Sequence, residues 1–217
     1  MTDVVARLAG LDVCCISDAM DALGIVGVVD GLSPLWEGAK VVGRAVTTRL
    51  EAGPAPAADI PVHLGARAIE ACAPGDVIVV DNGGRDTMGS WGGLLSMAAS
   101  MRGVAGVVTD GACRDIDEAR ELRFPVFGRG GAVRTARGRV HETTCGEPVS
   151  LAGVTVHSGD IVAADGSGVA VIPAADAERV ADRAEQIAQR ERAMQEELRA
   201  GTAVSQVLGA SYEHLLR

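Results

Sequence analysis

The chain has 217 residues, with 20 basic and 29 acidic side chains and a formal net charge of −9. That balance argues against a nucleic-acid or anionic-membrane surface, which needs clustered cations, and five aromatic residues are too few for a base-stacking platform. A hydrophobic fraction of 47% excludes disorder, the length suits one domain over 1–217, and no apolar run approaches the roughly 18 residues of a membrane span.

In chain order, apolar periodicity predicts helices at Asp3–Ala9 and Ser17–Leu23, with Ser17 as N-cap, and then a strand at Ala39–Leu50. A Pro/Ala loop, Glu51–Asp59, leads to a helix at Pro61–Cys72. The middle alternates strand and helix: Val77–Val80, Trp91–Arg102, Val104–Thr109, Ile116–Leu122 and Pro125–Phe127. Strands at Val154–Val156, Asp160–Ala164 and Val169–Ile172 precede Pro173, which opens a long helix from Ala174 to about Ala200. This order implies a mixed α/β domain, layered rather than all-parallel. The start, Met1-Thr2-Asp3, has no basic segment ahead of an apolar stretch, so no signal peptide is expected and a cytoplasmic location is.

Two residue counts narrow the chemistry. Nineteen of the basic residues are arginines and only Lys40 is a lysine, in what reads as an exposed turn before a strand. That disfavours Schiff-base catalysis, which needs a lysine amine in a dry pocket. The five cysteines show no C-x-x-C spacing, which gives neither a zinc knuckle nor a disulfide framework and fits small core residues in a reducing compartment.

The densest polar and glycine-rich stretch is Asp81–Asp117. Its first part, Asp81-Asn-Gly-Gly-Arg to Trp91-Gly-Gly-Leu-Leu95, reads as a strand end, a glycine loop and a helix start. Free N–H groups there would bind a carboxylate or phosphate, or the loop is a turn that merely packs; both readings stand. It matches no nucleotide-binding motif. Arg114-Asp115 follows the next strand, where open α/β folds place ligands. The pair is an exposed ion pair, or else an arginine fork for a keto acid beside a hard-oxygen metal ligand.

Glu191 interrupts the helical stripe Val180, Ala184, Ile187, Glu191, Met194 and Leu198. It is a rim or arginine-paired residue, or a carboxylate near a metal. His63 reads as a helix-start histidine or a proton carrier. Asp18 either caps its helix, the more economical reading, or faces a site. His141, His157 and His214 show no metal-ligand spacing and take no role.

Gly83-Gly84, Trp91-Gly-Gly-Leu-Leu95, Gly103-x-x-Gly-Val-Val-x-Asp110-Gly-x-x-Arg114-Asp115 and Phe124-Pro-Val-Phe127 resemble the family of the regulator of ribonuclease activity A. Ile16-Ser-Asp-Ala19 and the segment Gly159-Asp160 to Pro173 match as well. That family includes the 4-hydroxy-4-methyl-2-oxoglutarate and 4-carboxy-4-hydroxy-2-oxoadipate aldolases. The resemblance implies a three-layer β/β/α domain, a homotrimer or hexamer with sites between subunits, and a class II pyruvate aldolase using Mg²⁺ or Mn²⁺. Carried over by position, Asp115 would hold the metal and Arg114 the keto acid and enolate, and the N–H groups of Gly92, Gly93, Leu94 and Leu95 would receive the pyruvate carboxylate. His63 would shuttle a proton, and Glu191 would reach a neighbouring subunit's metal-water shell. A side activity as an oxaloacetate decarboxylase is implied, because that reaction passes through the same enolate. One departure stands out: where the aldolases carry an acidic residue, this chain has Gly93. The rival reading is a non-catalytic protein that regulates a ribonuclease complex. A third label used in the family, menaquinone methyltransferase, finds no adenosyl-methionine loop here.

Overall fold

The computed structural model describes residues 3–55 and 63–209. Four strands run parallel in the order Val41–Ala52, Val77–Asp81, Gly106–Thr109 and Val126–Gly128. The helices Ala66–Ala71, Gly93–Met101 and Ile116–Glu121 lie between them in sequence as crossover elements. Val77 to Val80 are all buried, as expected of a parallel strand covered on both faces. On the other side of Val41–Ala52 the pairing is antiparallel, through Ile161–Asp165 and Gly168–Ile172 to the edge pair Val28–Val29.

The 12-residue strand Val41–Ala52 is the joint of the fold. Its first residues, Val41–Arg44, pair with Ile161–Ala164, and Ala45–Arg49 pair with Val77–Asp81. Thr48–Ala52 also carry the antiparallel strand Val140–Cys145. The two halves of the sheet turn their inner faces toward one core: Val77, Val79, Val108 and Phe127 from one half, Val162, Ala164, Val169 and Val171 from the other. The hairpin Val149–Leu151/Val154–Val156 adds Val149, Leu151 and Val156 to that core.

Alternate residues face outward, because side chains in a strand alternate between faces. Ile78, Val80, Val107 and Val126 meet the crossover helices. Ile161, Ala163, Ala170 and Ile172 meet the helices Val4–Ala9, Val13–Ala22 and Ala177–Arg199. The domain is therefore mixed α/β, with two β layers and a long C-terminal helix. Ile187 on that helix is buried in the same cluster as Leu8, Ile16 and Met20. Ile187→Ala is expected to lower unfolding stability by about 2–4 kcal/mol in urea denaturation, the usual cost of an unfilled core cavity.

Several local expectations are corrected. The second helix begins at Val13, and its N-cap is Asp12, whose Oδ1 accepts the Cys15 N–H at 2.8 Å; Ser17 lies mid-helix. Asp18 is mid-helix too, so it does not cap. Pro173 precedes a 3₁₀ turn at Ala174–Asp176, and the α-helix proper starts at Ala177. The helix predicted over Pro61–Cys72 spans Ala66–Ala71, and residues 56–62, including part of the Pro/Ala loop, lie outside the described residues, as does His214. Among the strands not anticipated are Gly89–Trp91, Ala112–Cys113 and Gly130–Gly131; the first ends on Trp91, the residue expected to start a helix. These three form a small parallel sheet that follows the carboxyl ends of the main parallel strands and carries the pocket described next. Among the described residues no helix is long and apolar enough to cross a membrane.

All five cysteines are free. Burial pushes the Cys72 and Cys113 thiols up to about 12 and raises those of Cys15 and Cys145, while Cys14 is exposed. A thiol at about 12 is only about one part in ten thousand thiolate at pH 8. With a disulfide reagent at that pH, one fast thiol, Cys14, is expected in the native protein, and the other four should react only as it unfolds.

Candidate active site

The turn after Val77–Asp81 is held by the protein's own carboxylates. Gly83 N–H donates to Asp81 Oδ1 (3.0 Å), while Asn82 and Gly84 N–H donate to Asp110 Oδ1 and Oδ2 (2.6 and 2.9 Å). Burial raises the Asp110 carboxyl above its ordinary range, and these amide hydrogen bonds oppose the shift. The Asp81–Gly84 turn is therefore packed rather than an open anion site. Gly83 and Gly84 sit at φ 59° and 69°, the region glycine tolerates best.

The open donors are further along. The helix Gly93–Met101 starts from Gly92 with no side-chain cap, which leaves the N–H groups of its first turn without a capping acceptor from Gly92. The Gly93 N–H donates to Asp115 Oδ2 at 3.1 Å. Leu94 and Leu95 line the same cavity, of about 380 Å³. Their positions at the positive end of the helix suit a carboxylate.

Arg114 and Asp115 lie against this helix start. Arg114 N–H donates to the Trp91 carbonyl (2.9 Å), and its Nε lies 3.2 Å from Asp115 Oδ2. Asp115 stands at φ 56°, ψ 41°, left-handed for a non-glycine residue, and its side chain makes no cap for the helix it precedes. Such strain persists where the surroundings impose it, and it turns this carboxylate toward Gly93 instead of its own helix.

Glycine makes the close approach possible. A Cβ on Gly89 would fall 2.8 Å from Arg114 Cγ, and one on Gly92 would fall 2.9 Å from Asp115 Oδ2. A Cβ on Gly93 would overlap Glu118 Oε2 outright. Glu118 therefore fills the space beside Gly93 that an acidic side chain at 93 would enter. Sequence reasoning overlooked it, although its i, i+3 spacing from Asp115 across the start of Ile116–Glu121 puts both on one side of that turn.

The remaining expected site residues divide. His63 lines the pocket but precedes the helix rather than lying on it, and its Nδ1 is 2.9 Å from the Leu64 carbonyl. His141, given no role from sequence, lines the pocket as well. Within one copy Glu191 does not join this pocket. It borders a separate cavity, with its Oε2 3.2 Å from Cys15 Sγ, which is also 3.4 Å from Asp12 Oδ2. Asp12, Cys15 and Glu191 form a small cluster of candidate metal ligands. Burial, followed by the nearby charge of Glu191, raises the Asp18 carboxyl. Lys40 is exposed and its Nζ donates to the Leu11 carbonyl (2.8 Å), away from the pocket of Arg114 and Asp115.

Fold and site together define an α/β protein with an arginine–carboxylate pocket at a glycine-lined helix start, beyond the carboxyl ends of parallel strands. The chain belongs to the RraA-like family, whose Aldolase/RraA profile matches residues 13–171. It is 35% identical to Protein DlpA of Legionella pneumophila over 80% of its own length, but spans only 28% of that longer protein. A Halalkalibacterium halodurans protein carrying the provisional name 4-hydroxy-4-methyl-2-oxoglutarate aldolase is also 35% identical, over 84% of this chain and 82% of that one. Among solved structures, RraAS2 of Streptomyces coelicolor, described as an unusual member of the RNase ES inhibitor RraA protein family, aligns with a TM-score of 0.81 and 29% identity, covering 91% of this chain and 98% of that one. The relatives thus bear the names of aldolases and of ribonuclease regulators.

Proposed function

We propose that the protein is a divalent-metal-dependent class II lyase that cleaves a 4-hydroxy-2-oxo acid by retro-aldol reaction to release pyruvate, with oxaloacetate decarboxylation as a side activity. The observation that carries this reading is the meeting of Asp115 and Glu118 over Gly93, beside Arg114 and an uncapped helix start. Two carboxylates are a hard-oxygen donor set that fits Mg²⁺ or Mn²⁺, and the overlap at Gly93 leaves the Glu118 carboxylate as the acid of that space. Asp115 and Glu118 would hold the ion directly or through water. When bound, the cation supplies Lewis-acid stabilisation of the developing enolate.

The protein's own groups do the rest. The Leu94 and Leu95 amides take the carboxylate of the pyruvyl unit, at the positive end of their helix. The Arg114 guanidinium stabilises negative charge as the C–C bond breaks. His63, with Nδ1 anchored on a carbonyl, presents Nε2 to accept the proton of the 4-hydroxyl. Lys40 stands away from the pocket, which agrees with a route that forms no Schiff base.

The exposed apolar face of the site helix, Leu94, Met97 and Met101, supports a homotrimer or hexamer in which a second copy covers the pocket and brings its own Glu191 near it. The test of the lyase is pyruvate release from 4-hydroxy-4-methyl-2-oxoglutarate and from oxaloacetate, with Mg²⁺ or Mn²⁺ and again after chelation. Release that stops on chelation and returns with metal is expected. No release with metal bound would overturn the reading and leave ribonuclease regulation, the role named for RraAS2's family, as the alternative.

A further inference from the structure

We propose that Glu142 is a positioning residue: its carboxylate clamps the turn His63–Ala66, so that the His63 imidazole is held at the pocket with Nε2 left for the ligand. The inference rests on the lyase reading for the work it gives that nitrogen, acceptance of the 4-hydroxyl proton. The clamp itself is a property of the turn and can be judged without any turnover.

His63 is held from a distance. It lies ahead of the helix Ala66–Ala71, in a turn closed by the Ala66 N–H, which donates to the His63 carbonyl (3.1 Å). Gly65 stands third in that turn at φ 79°, ψ −12°, the left-handed conformation that a type II turn needs there and glycine supplies. Gly65 has no side chain to cap the helix, and its own N–H donates to Glu142 Oε2 at 2.6 Å. Glu142 Oε1 accepts from Arg67 Nε, also at 2.6 Å, and the Glu142 carbonyl accepts from Arg67 Nη2 (3.3 Å). One residue on the strand Val140–Cys145 therefore fastens both the turn and the start of the helix after it. The Glu142 side chain is only 4% exposed, and a charge so placed is costly unless its oxygens are bonded, as both are. The body of the helix is already seated by Ala68, Ile69 and Cys72 in the core, so the carboxylate acts on the residues ahead of it.

The other face of the turn meets the pocket. A Cβ on Gly65 would fall 3.1 Å from Trp91 Cζ3 and 3.4 Å from Leu95 Cδ1, so the turn lies against two residues of the pocket wall. The Trp91 carbonyl holds the Arg114 N–H, and Leu95 belongs to the first turn of the site helix. Packed on one face and bonded on the other, the turn shares one frame with the groups that would bind the keto acid. A proton acceptor works only within hydrogen-bond reach of its proton, and that placement is set by the groups behind it. The ring reports the same turn. His63 Nδ1 lies 2.9 Å from the Leu64 carbonyl, and a carbonyl only accepts, so the neutral ring carries its proton on Nδ1 and keeps Nε2 as the base. That tautomer depends on the shape of the turn, and so on Glu142.

The test reads the ring and the rate. In the full chain at about pH 8, where an ordinary imidazole is neutral, proton–nitrogen NMR of the rings should show His63 mainly as the Nδ1–H form, its signal assigned by its absence from His63→Gln. Glu142→Ala should lose that preference, while the ring of His157, beside Asp160, stays as it was. Glu142→Gln keeps the shape and an oxygen for the Gly65 N–H, and should keep the tautomer. With Mg²⁺ and 4-hydroxy-4-methyl-2-oxoglutarate, Glu142→Ala should lower kcat by about tenfold or more with KM within about twofold, and Glu142→Gln should recover most of it. Added to His63→Gln, Glu142→Ala should cost less than about twofold more, because the clamp acts only through that ring. An unchanged His63 ring in Glu142→Ala, or a double variant whose losses multiply, would overturn the proposal. The ring decides the clamp even without turnover: a protein whose His63 tautomer is lost in Glu142→Ala, but which releases no pyruvate, keeps the clamp and loses the lyase.

Discussion

Replacing Arg114 by alanine is expected to lower metal-dependent pyruvate release by about a thousandfold, mainly in kcat, with the fold intact. The guanidinium lies beside Asp115, where it can neutralise charge appearing on the substrate oxygen, and loss of such a preorganised donor typically costs about 10²–10³ in rate. Its backbone hydrogen bond to Trp91 does not depend on the side chain, so the local strand pairing should survive. Asp115→Asn should act differently. It keeps the shape but removes the charge, so the expected result is loss of Mg²⁺ or Mn²⁺ affinity in a direct titration, with activity partly recovered at high metal concentration. An Arg114→Ala protein of unchanged kcat would remove this arginine from the reaction, whatever else the pocket does.

The Gly93–Glu118 exchange is the second large effect. Glu118→Gln should reduce kcat by about a hundredfold through loss of the carboxylate that orders the ion or its water. Gly93→Ala should do comparable damage without touching any charge, because its Cβ overlaps Glu118 Oε2 and must push that carboxylate out. The double variant Gly93→Asp/Glu118→Ala then places a carboxylate in the same space from the other element, and should recover at least about tenfold over either single variant. Recovery would show that the site needs a carboxylate in that volume rather than a particular residue. No recovery, with metal affinity unchanged throughout, would mean that Glu118 only packs there. The pair also accounts for Gly93 standing where the resemblance leads one to expect an acid: the carboxylate comes from residue 118.

Much of the fold could be read along the chain. The apolar run Val77–Val80 and the stripe Val180–Ala184–Ile187 report burial through local periodicity, which needs no partner to be recognised. The three-residue strand Gly89–Trp91 and the two-residue strands Ala112–Cys113 and Gly130–Gly131 could not, because pairs so short carry no period and exist only where neighbouring chain completes their hydrogen bonds. The second helix was placed four residues late because Ser17 is an acceptable cap in isolation, while Asp12 is the one whose oxygen meets a free N–H.

The candidate site divides along the same line. By itself the sequence determined the pocket's chemistry: an Arg-Asp pair after a strand, glycines before a helix, one remote lysine, an acidic chain with little aromatic surface. These are matters of residue type and near-neighbour spacing. Tertiary structure alone decided which groups meet. It turned Asp115 left-handed toward Gly93, set Glu118 over the missing side chain, seated Glu191 against Cys15 within one copy, and brought His63 and His141 into the same cavity. Those contacts join residues that lie apart along the chain or face the same way only after the backbone has bent, and they are fixed by packing and loop closure, which leave no local pattern to read.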